Sequence, residues 1–348
     1  MKKVFIVDDS AFMRKIISDI VNQDSELTVI DTARNGKEAL EKLKYIHVDI
    51  LTLDIEMPIM NGIETLKELK KNNIDIPVLM LSSLTRDGAE LTLKALEIGA
   101  IDFITKPSSI FKVNNDEKKN EIISKIKGAI NTKTIFITNT EKIVFKEKAH
   151  KIVKNKQVKN IIGIGSSTGG PRALQEIIPQ ISEDVDGSFV VVQHMPPGFT
   201  KSLADRLNRM SHVIVKEAEN DEIVRNGYCY IAPGDKHLKL VNHNNNIKII
   251  LDDGINVNGH KPSVDVLMNS ISNLENINKI GVILTGMGSD GALGLKNLVK
   301  SGGYSIGQNE ESCIVYGMPK SAYNIGAVDV QLPLEDIISE IYNKLGGL

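Results

Sequence analysis

Asn160-Ile161-Ile162-Gly163-Ile164-Gly165-Ser166-Ser167-Thr168-Gly169-Gly170-Pro171 is the stretch that decides the fold class. The apolar run Ile161–Ile164 reads as a buried strand. The glycines after it permit a sharp turn, and Pro171 suits the first turn of a helix, which the pattern carries through Ile178. Strand, tight turn and helix form the unit from which parallel sheets are built. Working outward, Phe189–Gln193, Cys229–Ala232 and Lys279–Leu284 read as further strands, and Leu293–Lys300 as a helix. The same alternation fills the N-terminal part. There Lys3–Val7, Thr28–Thr32, Ile50–Asp54, Val78–Ser82 and Asp102–Thr105 are strands. Ala11–Asn22 is a helix with Phe12, Ile16, Ile17 and Ile20 on one side, and Gly36–Leu43 is another. Both halves are therefore expected to be α/β, each a doubly wound parallel sheet.

The chain has 348 residues, a length suited to two domains. It is 41% apolar and 25% charged, with a formal net charge of -2, so it offers no strong field for nucleic acid or anionic membrane. Two cysteines, Cys229 and Cys313, form no CxxC pair and suggest no disulfide framework. The four apolar residues Val4–Val7 are too few for a signal-peptide core. No run approaches the roughly 20 apolar residues of a membrane helix. A cytoplasmic protein without membrane insertion is expected. From about Phe111 to Asn160 the chain is rich in Lys, Asn and Glu, with one amphipathic segment at Glu121–Ile130. A solvated linker over 111–159 is expected, separating domains at 1–110 and 160–348. The Lys-rich part, Lys142–Lys159, lacks the aromatic or Arg interleaving of a nucleic-acid arm.

Chemistry-bearing residues gather at the ends of strands, where ligands bind in open parallel sheets. In the first half Asp8 and Asp9 end the first strand and Asp54 the third. Ser82 closes the fourth, and Lys106 follows the fifth, before Pro107. Three carboxylates suit Mg²⁺, and the lysine suits a phosphate. These residues, with Val7-Asp8-Asp9-Ser10, Leu53–Pro58, Asn61-Gly62 and Lys106-Pro107, resemble the response-regulator receiver family over about residues 1–110, a flavodoxin-like fold. The resemblance implies that Asp54 is phosphorylated by a chemotaxis histidine kinase. It also implies that Asp8, Asp9 and Asp54 hold Mg²⁺, and that Ser82 and Lys106 contact the phosphoryl group. Phe103 falls where the family carries a switching aromatic; plain core packing is the equal alternative.

In the second half Gly165-x-Ser167-x-Gly169 has the spacing of a nucleophile elbow. A phosphate-cradling loop competes, but the lysine of a P-loop is missing. A serine nucleophile needs a base, and the base an orienting carboxylate. His194 follows a strand directly, with His237 as rival. His47, His150, His212, His243 and His260 read as surface residues. Asp290, in the glycine-rich Leu284–Gly291, is the preferred carboxylate, with Asp265 and Asp235 as rivals; Asp265 also reads as a helix-capping residue.

The order Ser–His–Asp differs from that of α/β-hydrolases. Gly165–Gly170, Gln193–Phe199, Ala232-Pro233-Gly234, Lys261–Asp265, Leu284–Gly291 and Tyr316–Pro319 instead resemble the catalytic domain of chemotaxis protein-glutamate methylesterases of the CheB family, over nearly all of 160–330. Lys261 stands where that motif more usually has Arg. The resemblance implies a Ser167–His194–Asp290 triad acting without a cofactor. The substrates it implies are methyl-accepting chemoreceptors, demethylated at glutamyl esters and deamidated at certain glutamines. Backbone N–H groups near Thr168 and Met287 are the oxyanion candidates. Two other readings remain: a receiver-controlled esterase for another ester, and a receiver-linked regulator that binds nucleic acid. The second lacks a helix-turn-helix or a basic recognition surface.

Overall fold

The computed structural model describes residues 1–106, 116–130, 132 and 157–346. The chain divides into two compact units, Met1–Thr140 and Glu141–Leu348. Pro107, His150 and most of the expected linker lie outside the described residues.

The first unit alternates strand and helix: β1 (Lys2–Val7), α1 (Ala11–Val21), β2 (Leu27–Ala33), α2 (Gly36–Lys42), β3 (Ile50–Asp54), α3 (Gly62–Lys71), β4 (Val78–Ser82), α4 (Arg86–Ile98), β5 (Asp102–Thr105) and α5 (Asp116–Ile130). The strands form one parallel sheet in the order β2-β1-β3-β4-β5. Every residue of β3, β4 and β5 is buried, which requires helices on both faces. Helices α1 and α5 pack together on one side, and α3 packs with both α2 and α4. The helix starts are well specified. Asn61 and Glu64 close a capping box on α3, and Thr85 accepts from the Gly88 N–H at the start of α4.

Two sequence expectations change here. The buried stripe of α1 is Met13, Ile17, Ile20 and Val21, and Phe12 is 51% exposed. Residues 13, 17, 20 and 21 follow the i, i+4, i+7, i+8 rule, and Phe12 sits about 100° off that stripe. The segment Glu121–Ile130, expected within the linker, belongs to α5. Ile122, Ile126 and Ala129 are buried, and Lys125 pairs with Asp102 at 3.3 Å and Lys127 with Asp24 at 2.8 Å. Three small or branched apolar residues among lysines and glutamates are enough to dock a helix when their spacing is right.

The second unit contains β6 (Asn160–Ser166), α6 (Gly170–Ile177), β7 (Ser188–Gln193), α7 (Phe199–Met210), β8 (Ile214–Glu217), β9 (Tyr228–Ile231), β10 (His237–His243), β11 (Asn246–Asp252), α8 (Val264–Ser272), β12 (Asn278–Ile283), α9 (Ala292–Lys300), β13 (Tyr304–Gln308), α10 (Met318–Asn324), β14 (Val330–Leu332) and α11 (Ile337–Leu345). Seven strands form a parallel sheet in the order β14-β13-β12-β6-β7-β9-β8. The chain leaves β6 toward β7 and later returns on the other side as β12. The strand order therefore reverses at β6, and a crevice opens above its C-terminal end. In the first sheet the same reversal falls between β1 and β3, where Asp8 and Asp54 stand.

Strands β10 and β11 make a separate antiparallel hairpin packed on α8. Asn244 and Asn245 form its turn with φ of 47° and 62°, the left-handed pair that a two-residue hairpin needs. Gly165 lets α8 approach β6, because a Cβ there would lie 2.2 Å from Val264 Cγ1. That close approach brings the N-terminus of α8 to the mouth of the crevice.

Candidate active site

In the first unit the strand ends bring Asp8, Asp9 and Asp54 together. One oxygen from each lies within 4.8 Å of the others. Asp8 and Asp54 are buried, and Asp9 is exposed. Lys106 Nζ stands 2.9 Å from Asp8 Oδ2 and 2.7 Å from Asp54 Oδ2. Burial pushes the Asp54 carboxyl up to about 6, and the Asp8 charge adds to this while Lys106 opposes it. Burial works against the Lys106 ammonium too, but Asp54 and Asp8 raise it on balance. A cluster of hard carboxylate oxygens, one of them open to solvent, fits a Mg²⁺ that keeps several waters.

The structure brings Ser82 to the same edge, but its hydroxyl is occupied elsewhere. It accepts from Thr92 Oγ1 at 2.7 Å and donates to the Ser83 carbonyl at 3.2 Å. Phe103 is buried, with Lys125 Nζ 5.0 Å from its ring centroid.

In the second unit β6 ends at Ser166 and β7 at Gln193, and these two residues pair in register. Ser166 and Ser167 part company at the turn. Ser166 is fully buried and donates its hydroxyl to Gln193 Oε1 at 2.7 Å. Ser167 is half-buried, and its Oγ has no hydrogen-bond partner among the described residues. Gln193 Nε2 donates to the Ser167 carbonyl at 2.9 Å and to the His194 carbonyl at 3.2 Å. Gly286, after β12, presses against Ser167; a Cβ there would lie 2.8 Å from Ser167 Cβ.

His194 and Asp290 meet across the crevice, with Nε2 of the imidazole 2.9 Å from Asp290 Oδ2. Asp290 is buried and accepts four further hydrogen bonds. Val264 N–H donates to Oδ2 at 2.7 Å. Ser263 Oγ at 2.8 Å, Asp265 N–H at 3.2 Å and Asn258 Nδ2 at 3.2 Å donate to Oδ1. Two of these donors are the first amides of α8, so Asp290 also caps that helix. Burial opposes its charge, yet the His194 partner, the Val264 N–H and the Ser263 hydroxyl hold its carboxyl well below the usual carboxylate range. An ionised carboxylate only accepts, so Nε2 of neutral His194 carries the hydrogen and Nδ1 keeps the lone pair. That Nδ1 is buried and has no partner among the described residues. No hydrogen bond joins Ser167 Oγ to it in this structure.

The rivals named from sequence have other work. His237 is buried, with Nε2 2.9 Å from the Ile255 carbonyl and Nδ1 accepting from the Ser263 N–H at 3.2 Å. Asp265 accepts from the Gly294 N–H at 2.6 Å and from Asn258 Nδ2 at 2.7 Å, tying α8 to α9. Asp235 is exposed and lies 3.4 Å from Lys261 Nζ. Of the oxyanion candidates, Met287 is half-buried and its N–H has no acceptor among the described residues. Thr168 is buried, and its carbonyl accepts from Thr285 Oγ1 at 3.0 Å.

His260 was expected at the surface with His47, His212 and His243. Those three are exposed, but the His260 ring stacks on His194, centroids 3.8 Å apart and planes 11° apart. Asn258, which reaches Asp290, was not singled out either. The overlooked signal is the dipeptide Asn258-Gly259, a two-residue turn that carries the Asn258 amide to Asp290 and the His260 ring to His194.

Both halves of the chain resemble known proteins. Residues 162–341 match the CheB methylesterase family and residues 4–115 the response regulator receiver domain. A protein-glutamate methylesterase/protein-glutamine glutaminase of Bacillus subtilis strain 168 is 44% identical over 349 residues, covering 98% of each chain. Proteins of the same name from Halalkalibacterium halodurans and Pyrococcus horikoshii are 45% and 44% identical, covering 98% and 96% of this chain and 98% and 91% of theirs. The crystal structure of the Thermotoga maritima CheB methylesterase catalytic domain is 45% identical and superimposes with a TM-score of 0.52. It covers 53% of this chain and 98% of that one. With a receiver domain at its N-terminus and a doubly wound hydrolytic unit behind it, the chain belongs to the CheB methylesterase family.

Proposed function

We propose that the chain is a receiver-controlled serine hydrolase that acts in the cytoplasm on chemoreceptors, demethylating glutamate methyl esters and deamidating particular glutamines. The receiver is the first unit, and the catalytic domain runs from residue 160. What remains of 111–159 beyond α5 is the connector. The observation that carries the reading is Asp290 bonded to His194 Nε2, which leaves Nδ1 as the one basic nitrogen of that imidazole.

The reaction follows from that tautomer. Ser167 Oγ attacks the side-chain carbonyl of the substrate while its proton passes to His194 Nδ1. The imidazolium so formed is stabilised by Asp290, whose own proton affinity is too low to take the proton. The tetrahedral oxygen is met by the Met287 and Thr168 N–H groups. Collapse breaks the bond to methanol or ammonia, which leaves with the proton from Nδ1. A water then attacks the acyl-serine by the same route, giving the glutamate carboxylate and restoring Ser167. Esters and primary amides share this path, since both leaving groups need one proton from the same nitrogen.

Asp54 is the phosphoacceptor, charged by a histidine kinase. Asp8, Asp9 and Asp54 would hold Mg²⁺, which when bound offsets the negative charge of the incoming phosphoryl group. Lys106 already spans Asp8 and Asp54 and is placed to follow the new charge. The phosphoryl group can switch the enzyme only by favouring one arrangement of the domains over another. The test is methanol release from methylated receptor cytoplasmic fragments. Release above background, abolished by Ser167→Ala, supports the reading. Hydrolysis of simple esters without release from receptor fragments would point to a different substrate.

A further inference from the structure

Between β11 and α8 the chain makes a tight turn whose two ends are Val257 and His260. The Val257 N–H donates to the His260 carbonyl at 3.0 Å, and the His260 N–H returns the bond to Val257 at 2.9 Å. The central pair, Asn258 and Gly259, has φ of 53° and 79°. This is the left-handed pair that a two-residue hairpin turn requires. It is aimed at two members of the catalytic group at once. Asn258 Nδ2 reaches Asp290 Oδ1, and the His260 ring lies flat against His194.

We propose that His260 is a positioning residue for the base: its ring fixes the plane of the His194 imidazole and so the direction in which Nδ1 presents its lone pair. The need for such a residue follows from the geometry. The Asp290 bond anchors one edge of the ring, at Nε2. A single in-plane bond leaves the ring free to tilt about the line from Cβ to that bond. A flat neighbour 3.8 Å away, nearly parallel at 11°, removes that freedom on one face. The bond from Asn258 to Asp290 holds the same turn to the carboxylate, so ring and acid move together.

The inference rests on the serine-hydrolase reading, and the test separates the two. A serine-directed phosphonate is reacted with the full chain, and the rate of Ser167 labelling is followed beside methanol release from receptor fragments. No labelling of the parent chain would defeat the hydrolase reading itself. With labelling present, His260→Ala should lower both the labelling rate and kcat about tenfold and leave KM unchanged. His260→Phe keeps a flat face and should recover most of the loss, which a polar or purely structural role for His260 would not allow. Far-ultraviolet circular dichroism and thermal melting check that both variants are folded. Parent-like labelling in His260→Ala overturns the proposal, and so does a folded His260→Phe as slow as His260→Ala.

Discussion

Asp290→Asn tests the active site and the fold with one substitution. The carboxylate accepts five donors, two on Oδ2 and three on Oδ1. An asparagine must place an NH₂ at one of these positions, where it faces donors whichever way it flips. In the better flip two buried donors end without an acceptor, the Val264 N–H and, once the imidazole has changed tautomer, its Nδ1–H, at about 1–3 kcal/mol each, so a loss of about 2–6 kcal/mol is expected in the second unit. If the NH₂ takes the Oδ2 position, it offers a hydrogen to Nε2 and the imidazole moves its own hydrogen to Nδ1, where the base lone pair is needed. If it takes the Oδ1 position, three donors are stranded instead of two. The first flip is therefore preferred, and kcat should fall about 10³–10⁴-fold. Acid narrows the stability gap. The native carboxyl titrates below its unfolded value of about 4, so its stabilisation is complete above that pH and is lost as the pH falls toward the folded pKa. Methanol release gives the rate, and hydrogen exchange across 262–270 at pH 7 and pH 3.5 gives the stability. A variant with more than about a tenth of parental kcat would refute the tautomer argument. Unchanged protection of the first turn of α8 would refute the capping role.

Other outcomes follow from the same geometry. Ser167→Ala should reduce methanol release by at least about 10³-fold, whereas Ser166→Ala, which loses one buried bond to Gln193 worth about 1 kcal/mol, should stay within about tenfold; equal losses would reassign the nucleophile. Asp54→Asn should stabilise the first unit by up to about 3 kcal/mol at pH 7.5, since raising the folded pKa from 3.8 to about 6 makes the buried charge costly above that pH. The gain should vanish below about pH 4, where the carboxyl is protonated in both states, and a gain that persists there in urea unfolding would refute the cause. A fragment beginning at Lys159 should be at least as active as the unphosphorylated whole chain, and acetyl phosphate with Mg²⁺ should activate the chain but not the fragment. A slower fragment would mean that the receiver helps to assemble the site.

The fold was largely legible because its strands are short, mostly apolar runs ended by polar residues. Ile50–Asp54, Val78–Ser82 and Asp102–Thr105 have the same limits in sequence and structure. What escaped was carried by spacing or by distance. Helix α5 hides three apolar residues in a lysine-rich stretch that reads as solvated. The hairpin β10–β11 turns at an Asn-Asn pair inside an Asn-rich run, which lacks the Asn-Gly or Asp-Gly signal of a two-residue turn. The pairing of His194 with Asp290 could be inferred from two strand ends facing one crevice. The stack of His260 on His194 could not, because 66 residues separate them and only the turn at Asn258-Gly259 closes the gap. Strand ends advertise their position in the pattern of the chain, and a ring carried on a tight turn does not.

Gln193 has a consequence for what can vary in such an enzyme. Its single amide holds the main-chain oxygens of both Ser167 and His194 and accepts the hydroxyl of Ser166, entirely beneath the protein surface. The spacing of Ser167 and His194 is thereby set by two adjacent strands and one buried side chain. The outer loops are left out of that tie. They are free to be rebuilt for a different receptor surface, and Ser167 and His194 beneath them would keep their separation.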